Sequence, residues 1–288
     1  MQTGSITLEA PAKINLYLDI ISKRKDLYHN IATIFCKLKL CDHIRVSAKG
    51  KGVSLACNHP QLRDKRSNLA YKAALFMKDN YRLEQGLDIS IKKNIPIAAG
   101  LGGGSSDAAA VIKAVNELFN LHLTRHELML SAKHIGADVG FFLSGHDYAI
   151  GRGIGDRLTG IEGPAARFYV LLLVPDLHIY TKSIYSALSL RLTKPRADVN
   201  ISSRILMRSD WLDRLPGFLY NRLEDVVLPL YPVTGAGRQA LCRYTDNVLL
   251  SGSGPTLFGI FKTKEQAHKA ARGLAKYKKW QIFLTQNA

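Results

Sequence analysis

Between Ile14 and Ile20 the chain alternates Ile14, Leu16, Leu18 and Ile20 with Asn15, Tyr17 and Asp19, the two-residue period of a half-buried strand. Extending that register back by one step sets Lys13 on the polar face beside Asn15. After a polar loop, SKRKDLYHN, two further strand-like stretches, IATIFCKLKL and HIRVSA, predict an antiparallel N-terminal sheet. Ser67 then precedes apolar or small residues at 70, 73, 74, 77 and 81, the pattern of an amphipathic helix with a serine cap. LDISIKK reads as the next strand.

A second helical stripe runs through Ala108, Val111, Ile112, Val115, Leu118 and Phe119. Thr124 and Glu127 have the spacing of a capping box, and Gly136 is placed to stop the helix that follows, which leaves Asp138 in the turn just past its end. The glycine-rich, polar run GRGIGDRLTGIEGPAA then suggests a domain boundary near residue 160. Beyond it lie a buried strand in FYVLLLVPD, a second glycine turn, SGSGPT, between strand-like NVLL and LFGIF, and a basic helix from about Lys264 to Lys276.

Ahead of the second helix stands NIPIAAGLGGGSSDAAAVI, residues 94–112, with four glycines and two serines where a strand feeds a helix N-terminus. Backbone N–H groups at a helix start lack intrahelical partners, and the helix dipole adds partial positive charge there. Such a loop is either a cradle for an anion or a slack connection. Ser105 and Ser106 can cap the helix, or their hydroxyls can meet phosphate or magnesium. Neither G-x-x-x-x-G-K-[ST] nor a complete G-x-G-x-x-G is present, so the loop is not a P-loop or a dinucleotide fingerprint.

Composition narrows the field of classes. The chain has 288 residues, 47% of them hydrophobic and 22% charged, which suits a soluble protein of one large or two ordinary domains. The longest apolar run, Phe168 to Val174, is too short to cross a bilayer, and the first residues lack the apolar centre of a secretory signal, so cytoplasmic residence is expected. Cys36, Cys41, Cys57 and Cys242 carry neither a zinc-type spacing nor a disulfide framework, and His122 and His126 lack an H-E-x-x-H setting. A net charge of +17 favours anionic partners without choosing among them. The clusters SKRK and KYKKW lack interleaved aromatics and read as solvated faces.

The motifs PAKINLYL (11–18), YH (28–29), IPIAAGLGGGSSDAA (95–109), GADV (136–139) and SGSGPTLFGIF (251–261) occur in an order that resembles the GHMP superfamily of small-molecule kinases. The A-K-x-N-L-x-L segment followed by Y-H is most similar to the members that phosphorylate the 2-hydroxyl of a cytidine-diphosphate-linked methylerythritol in non-mevalonate isoprenoid synthesis. The resemblance implies an α+β protein with an S5-like N-terminal domain (1–160), carrying the phosphate loop and a left-handed crossover, and a ferredoxin-like C-terminal domain (161–288). ATP with Mg2+ and the cytidine substrate are then expected in the cleft between the domains, with no nucleic-acid or membrane partner.

By the same resemblance Asp138 is the general base and Lys13 its companion at the hydroxyl. Pro96, Gly100, Gly102, Gly103, Gly104, Ser105 and Ser106 wrap the phosphates, while Asn68 and Lys93 line the adenine side. Asn15 faces the methylerythritol end, Tyr28 and His29 the cytosine, and Thr181 and Tyr185 complete the pocket. Plainer readings stand beside these: Asp138 as a cap, Lys13 and Lys93 as solvated strand charges, Asn68 as a helix cap, and Tyr185 as a core aromatic. Two other functions stay open: a superfamily kinase for another small alcohol, and an S5-like basic domain that binds RNA. Leu27 stands where the family commonly has glycine, and Gly140 where it commonly has proline.

Overall fold

Both N-terminal strands form, and both outrun the alternation that announces them: β1 spans Ser5–Lys23 and β2 spans His29–Ala48. The stretches expected as separate strands are one, because Asp42 continues β2 instead of breaking it. Its carboxylate is buried and satisfied, accepting from the N–H groups of Asn94 and Ile95 at 2.6 and 2.9 Å. The computed structural model describes residues 4–62, 64, 67–162, 167–188, 199–208 and 210–288. They pack as two compact units that both long strands traverse, one comprising the chain up to Ala12 with Leu40–Ile97 and Gly102–His146, the other Lys13–Lys39, Ala98–Leu101 and Asp147–Ala288.

In the first unit β3 (Val53–Cys57) runs parallel to β4 (Leu87–Lys92), which pairs antiparallel with the C-terminal part of β2. Between them in sequence lies α1 (Leu69–Asn80), packed on α2 (Gly103–Leu118) through Ala70, Ala73, Ala74 and Met77. The α1 cap is Asn68, not Ser67: the Asn68 Oδ1 accepts from Ala70 and Tyr71, while the Ser67 hydroxyl turns back to the Asp64 carbonyl. The predicted stripe of α2 is buried from Ala108 to Leu118. A capping box of Thr124 and Glu127 opens α3 (Arg125–Lys133), and α4 (Val139–Leu143) packs against both α2 and α3.

An ion triad is buried in this unit. The Lys93 ammonium lies 2.5 Å from Asp42 and 2.8 Å from Asp107, all three side chains being nearly inaccessible. Burial opposes the charge on Lys93, but the carboxylates of Asp107 and Asp42 outweigh it and raise the ammonium above the usual lysine range. Burial likewise pushes Asp107 up to about 7, against the pull of Lys93 and with the push of Asp42. The single ammonium, shared between two carboxylates, does not offset the burial of Asp107.

In the second unit β1 pairs with β8 (Tyr220–Asn221), and the N-terminal part of β2 pairs with β5 (Tyr148–Gly153), itself paired with β6 (Arg157–Ile161). A separate sheet contains β7 (Tyr169–Pro175), β9 (Val248–Leu250), β10 (Leu257–Phe261) and β11 (Trp280–Gln286) in the spatial order β11-β7-β10-β9. Before β9 come α5 (Thr181–Ala187), α6 (Val199–Leu206), α7 (Trp211–Phe218), α8 (Glu224–Leu230) and α9 (Pro232–Leu241); α10 (Lys264–Leu274) joins β10 to β11. Strand order 4-1-3-2 with helical crossovers after the first and third strands is the ferredoxin-like arrangement. Its core joins Leu171, Leu173, Leu250 and Leu257 of the sheet to Leu241 and Leu274 of the helices. Among the described residues no helix is long and apolar enough to cross a membrane.

Two stability predictions follow from these local geometries. Lys93→Ala leaves two buried carboxylates facing each other and should cost about 3–5 kcal/mol in urea unfolding, whereas Asp107→Asn should cost less. Folding favours the protonated Asp107, so its contribution is complete below the ordinary carboxylate range and is lost as pH rises through about 7. Asp107→Asn should abolish that dependence. At the tip between β1 and β2, Leu27 is 74% exposed and held at φ 68°, a left-handed conformation costing a branched side chain about 1–2 kcal/mol. Leu27→Gly should therefore leave the protein as stable or up to about 1 kcal/mol more stable, after the larger unfolded-state entropy of glycine is counted.

Candidate functional site

The loop after β4 turns into α2 through glycines in conformations that side chains resist. Gly102, the cap residue, sits at φ 70° and, being glycine, offers the first turn of α2 no side-chain cap. Gly103, Gly104 and Ser105 thus present their N–H groups at the positive end of a sixteen-residue helix. The two serines are not caps: they lie inside the helix, as its third and fourth residues. Ser106 is buried, and its hydroxyl has no hydrogen-bond partner. Pro96 and Gly104 line the same loop, partly buried and exposed respectively.

Beneath this loop the Lys93 triad acts as a brace. Asp107 belongs to α2, Asp42 to β2, and Lys93 follows β4; a Cβ added at Gly103 would lie 3.1 Å from the Lys93 Nζ. Asn68 is similarly committed, with Oδ1 capping α1 and Nδ2 donating to the Leu62 carbonyl at 3.1 Å. Both residues flank the loop with their polar atoms already engaged. Asp138 stands at the entrance to α4 and makes no capping hydrogen bond to it. Capping of that helix is therefore not its role.

In the second unit the polar face of β1 is buried, where the alternation suggested a half-exposed strand. Its groups are hydrogen-bonded in a chain: Lys13 Nζ donates to Asn15 Oδ1 at 2.7 Å, Asn15 Nδ2 to Thr33 Oγ1 at 2.7 Å, and Thr33 Oγ1 to the Tyr17 carbonyl at 2.7 Å. Lys13 also stands over the Phe35 ring at 5.6 Å. The ammonium is thereby aimed and desolvated, not solvated as a surface lysine.

The SGSG turn closes on these residues. The Ser251 hydroxyl donates to the Gly100 carbonyl at 3.0 Å, and Asn221 Nδ2 donates to the carbonyls of Leu250 and Gly252 at 2.8 Å each. A Cβ at Gly252 (φ 57°) would lie 3.5 Å from Lys13 Nζ. At Gly100 (φ 75°) a Cβ would collide with the Ser251 carbonyl. Thr181 meets the same turn through a 2.8 Å contact with the Ser253 hydroxyl. His29 and Tyr185 pack ring against ring, 5.2 Å between centroids, while Tyr28 stays 60% exposed. Burial, then the Lys23 charge, holds the His29 imidazole below the ordinary histidine range, so it is neutral at pH 7.

Thr33, Asn221, Ser251 and Gly252 were absent from the sequence-based site. The SGSGPT turn was visible as a motif, but its attachment to Lys13 and Gly100 was not. Nothing in the spacing marks Thr33 or Asn221, whose roles arise only from strand pairing.

Comparison with known proteins supplies the relationship. Residues 68–147 match the GHMP kinases N terminal domain, and residues 203–279 the GHMP kinases C terminal domain. A 4-diphosphocytidyl-2-C-methyl-D-erythritol kinase of Acetivibrio thermocellus is 39% identical over 98% of this chain and 99% of its own. The enzyme of that name from Syntrophus aciditrophicus is 38% identical over 96% and 98%. A crystal structure of 4-(cytidine 5'-diphospho)-2C-methyl-D-erythritol kinase superimposes with TM-score 0.82 at 31% identity, covering 98% of this chain and all of the other. A homoserine kinase from Cytophaga hutchinsonii shares the fold at TM-score 0.74 and 18% identity, with 100% and 96% covered. With both domains matched and relatives of this identity over nearly its full length, the chain belongs to the GHMP kinase family and, within it, to the 4-diphosphocytidyl-2-C-methyl-D-erythritol kinases.

Proposed function

We propose that this protein transfers the γ-phosphoryl group of ATP to the 2-hydroxyl of 4-diphosphocytidyl-2-C-methyl-D-erythritol, in the cytoplasm, as a step of isoprenoid precursor synthesis. The observation that carries this reading is the N-terminus of α2, which opens on Gly102 without a side-chain cap and holds the buried Ser106 hydroxyl, unpaired among the described residues. Buried polar groups are rarely left so without a ligand to meet them. A triphosphate supplies several acceptor oxygens at once.

Phosphoryl transfer needs the phosphate held in line, its charge neutralised, and the acceptor proton removed. Asp138, at the entrance to α4, takes the proton from the 2-hydroxyl. Lys13, held by Asn15, neutralises the developing alkoxide. Ser106, with its unsatisfied oxygen, suits a magnesium ion, which when bound would offset charge on the phosphate oxygens. Pro96, Gly100 and Gly102 shape the loop; Asn68 and Lys93 support its adenine side through the cap and the triad. Asn15 meets the methylerythritol end. Tyr28 offers an exposed ring for cytosine, with neutral His29 and Tyr185 beside it and Thr181 nearby. The division near residue 160 falls between the two matched family segments.

A coupled ADP-release assay tests the activity: ADP should form with the cytidine substrate and not with homoserine or mevalonate. ADP formed only with another alcohol would overturn the substrate, and ATP-insensitive, salt-dependent RNA binding without ADP release would overturn the class. Asp138→Asn should lose about 10²–10⁴-fold in kcat with KM little changed; unaltered turnover would remove Asp138 from the mechanism. Ser106→Ala deletes a hydroxyl that bonds to nothing in the fold, so its unfolding midpoint should not fall. Its kcat/KM for ATP should drop by at least about tenfold, on the scale of losing a phosphate-binding donor.

A further inference from the structure

Away from every residue assigned above, Glu9 of β1 and Cys41 and His43 of β2 bring one carboxylate oxygen, one sulfur and one imidazole nitrogen within 4.8 Å of one another. The register explains the gathering. Cys41 and His43 are two apart on one strand and so share a face, and β1 is the neighbour of β2 in the sheet. All three belong to the first unit. We propose that Glu9, Cys41 and His43 form a binding site for a thiophilic divalent cation, Zn2+ by chemistry, that clasps β1 to β2.

The donor set selects the ion. Zinc takes sulfur, imidazole nitrogen and carboxylate oxygen at about 2.0–2.3 Å in a tetrahedron. Ligand atoms around such an ion stand about 3.3–3.8 Å apart, so a modest rotation of side chains within the observed cluster is enough. Three protein donors leave the fourth position to water. Hard cations are disfavoured: magnesium and calcium want oxygen ligands, and the cluster offers one carboxylate among cations. Exposed Lys39 and Arg45 lie on β2 two residues beyond Cys41 and His43, and Lys92 of β4 is paired directly opposite His43. Attraction by charge alone would be weak there, and the affinity must come from the sulfur and nitrogen donors.

The thiol is present as S–H before binding: burial, then the Glu9 and Asp42 carboxylates, raise it above the usual cysteine range. Binding therefore breaks the S–H bond, releases that proton to solvent, and forms the sulfur–zinc bond with no change of oxidation state. Asp42, between the two β2 ligands in sequence, points to the opposite face and holds Lys93, Asn94 and Ile95. A metal on the outer face consequently restrains the backbone that carries the brace of the glycine loop.

The test uses the full chain without nucleotide or Mg2+, and Zn2+ alone as the probe. Alkylation of Cys41 by iodoacetamide, followed by peptide mass spectrometry, should slow at least tenfold when zinc is added. In Glu9→Gln, an exposed and structurally harmless change, and in His43→Gln, half-protection should need at least about tenfold more zinc, the least that loss of a coordinating group costs. Substituted Co2+ should show a thiolate-to-cobalt charge-transfer band that survives Cys57→Ser and Cys242→Ser and vanishes in Cys41→Ser. Unprotected Cys41, protection undiminished in both Glu9→Gln and His43→Gln, or a cobalt band that outlives Cys41→Ser would each overturn the proposal.

Discussion

The proposed activity depends on opening α2 with Gly102, a cap residue that has no side chain to place over the first amides of the helix. Most helix starts are closed by a serine, threonine, aspartate or asparagine, and α1, α3 and α10 follow that habit with Asn68, Thr124 and Thr263. At α2 the cap is Gly102, which has no side chain to offer. An open N-terminus is locally unstable, so something else must hold it. The Lys93 triad does so from within the unit, tying Asp107 in the second turn of α2 to Asp42 of β2, which in turn grips the backbone of Asn94 and Ile95. A buried ion triad is a poor source of net stability. Its value here is positional: it fixes the loop at its base.

The second unit solves a different problem with the same means. In the proposed mechanism the Lys13 ammonium must be aimed and kept from bulk water. Lys13 is held by the amide oxygen of Asn15, a neutral acceptor, and Asn15 is fixed by Thr33, whose own proton goes to a backbone carbonyl. The first link is charge-assisted and the next two are neutral, and together they fix the direction of the ammonium. The SGSG turn meets this chain at Gly252, whose φ of 57° favours glycine and where a Cβ would lie 3.2 Å from the Gly100 carbonyl.

The sequence made parts of this legible and concealed others for definable reasons. Alternation reports neighbours on a strand face, so the pairing of Lys13 with Asn15 could be read; it does not report what covers that face, so the burial of the polar side could not. The capping box at Thr124 is a short-range pattern and was found, while Ser67 outranked Asn68 as a cap only because the two adjoin. For α2, the apolar stripe placed the helix but put its start too late, since the glycines that open it carry no periodicity. Asp42 lies some fifty residues from Lys93 in sequence, and such pairs follow from topology alone. The same holds for Glu9 beside Cys41 and His43: a spacing rule along one strand cannot see a donor contributed by the next.

The two departures from the family pattern show how a fold keeps a geometry after losing the residue that favours it. Leu27 occupies a left-handed conformation that glycine would adopt without strain, and it is held there because Asp26 accepts from the Tyr28 N–H while Arg24 grips the same carboxylate. The turn is thus set by its hydrogen bonds, and the leucine bears the strain. At Gly140 the expected rigidity of proline is missing, two residues after the residue proposed as the base. Gly140 nevertheless lies in α4 among Val139, Phe141, Phe142 and Leu143, all buried, and α4 packs on α2 and α3. Close packing on two helices restricts the backbone more than the residue's own freedom loosens it, so Asp138 is positioned by the apolar side chains that follow it, and proline there would be redundant.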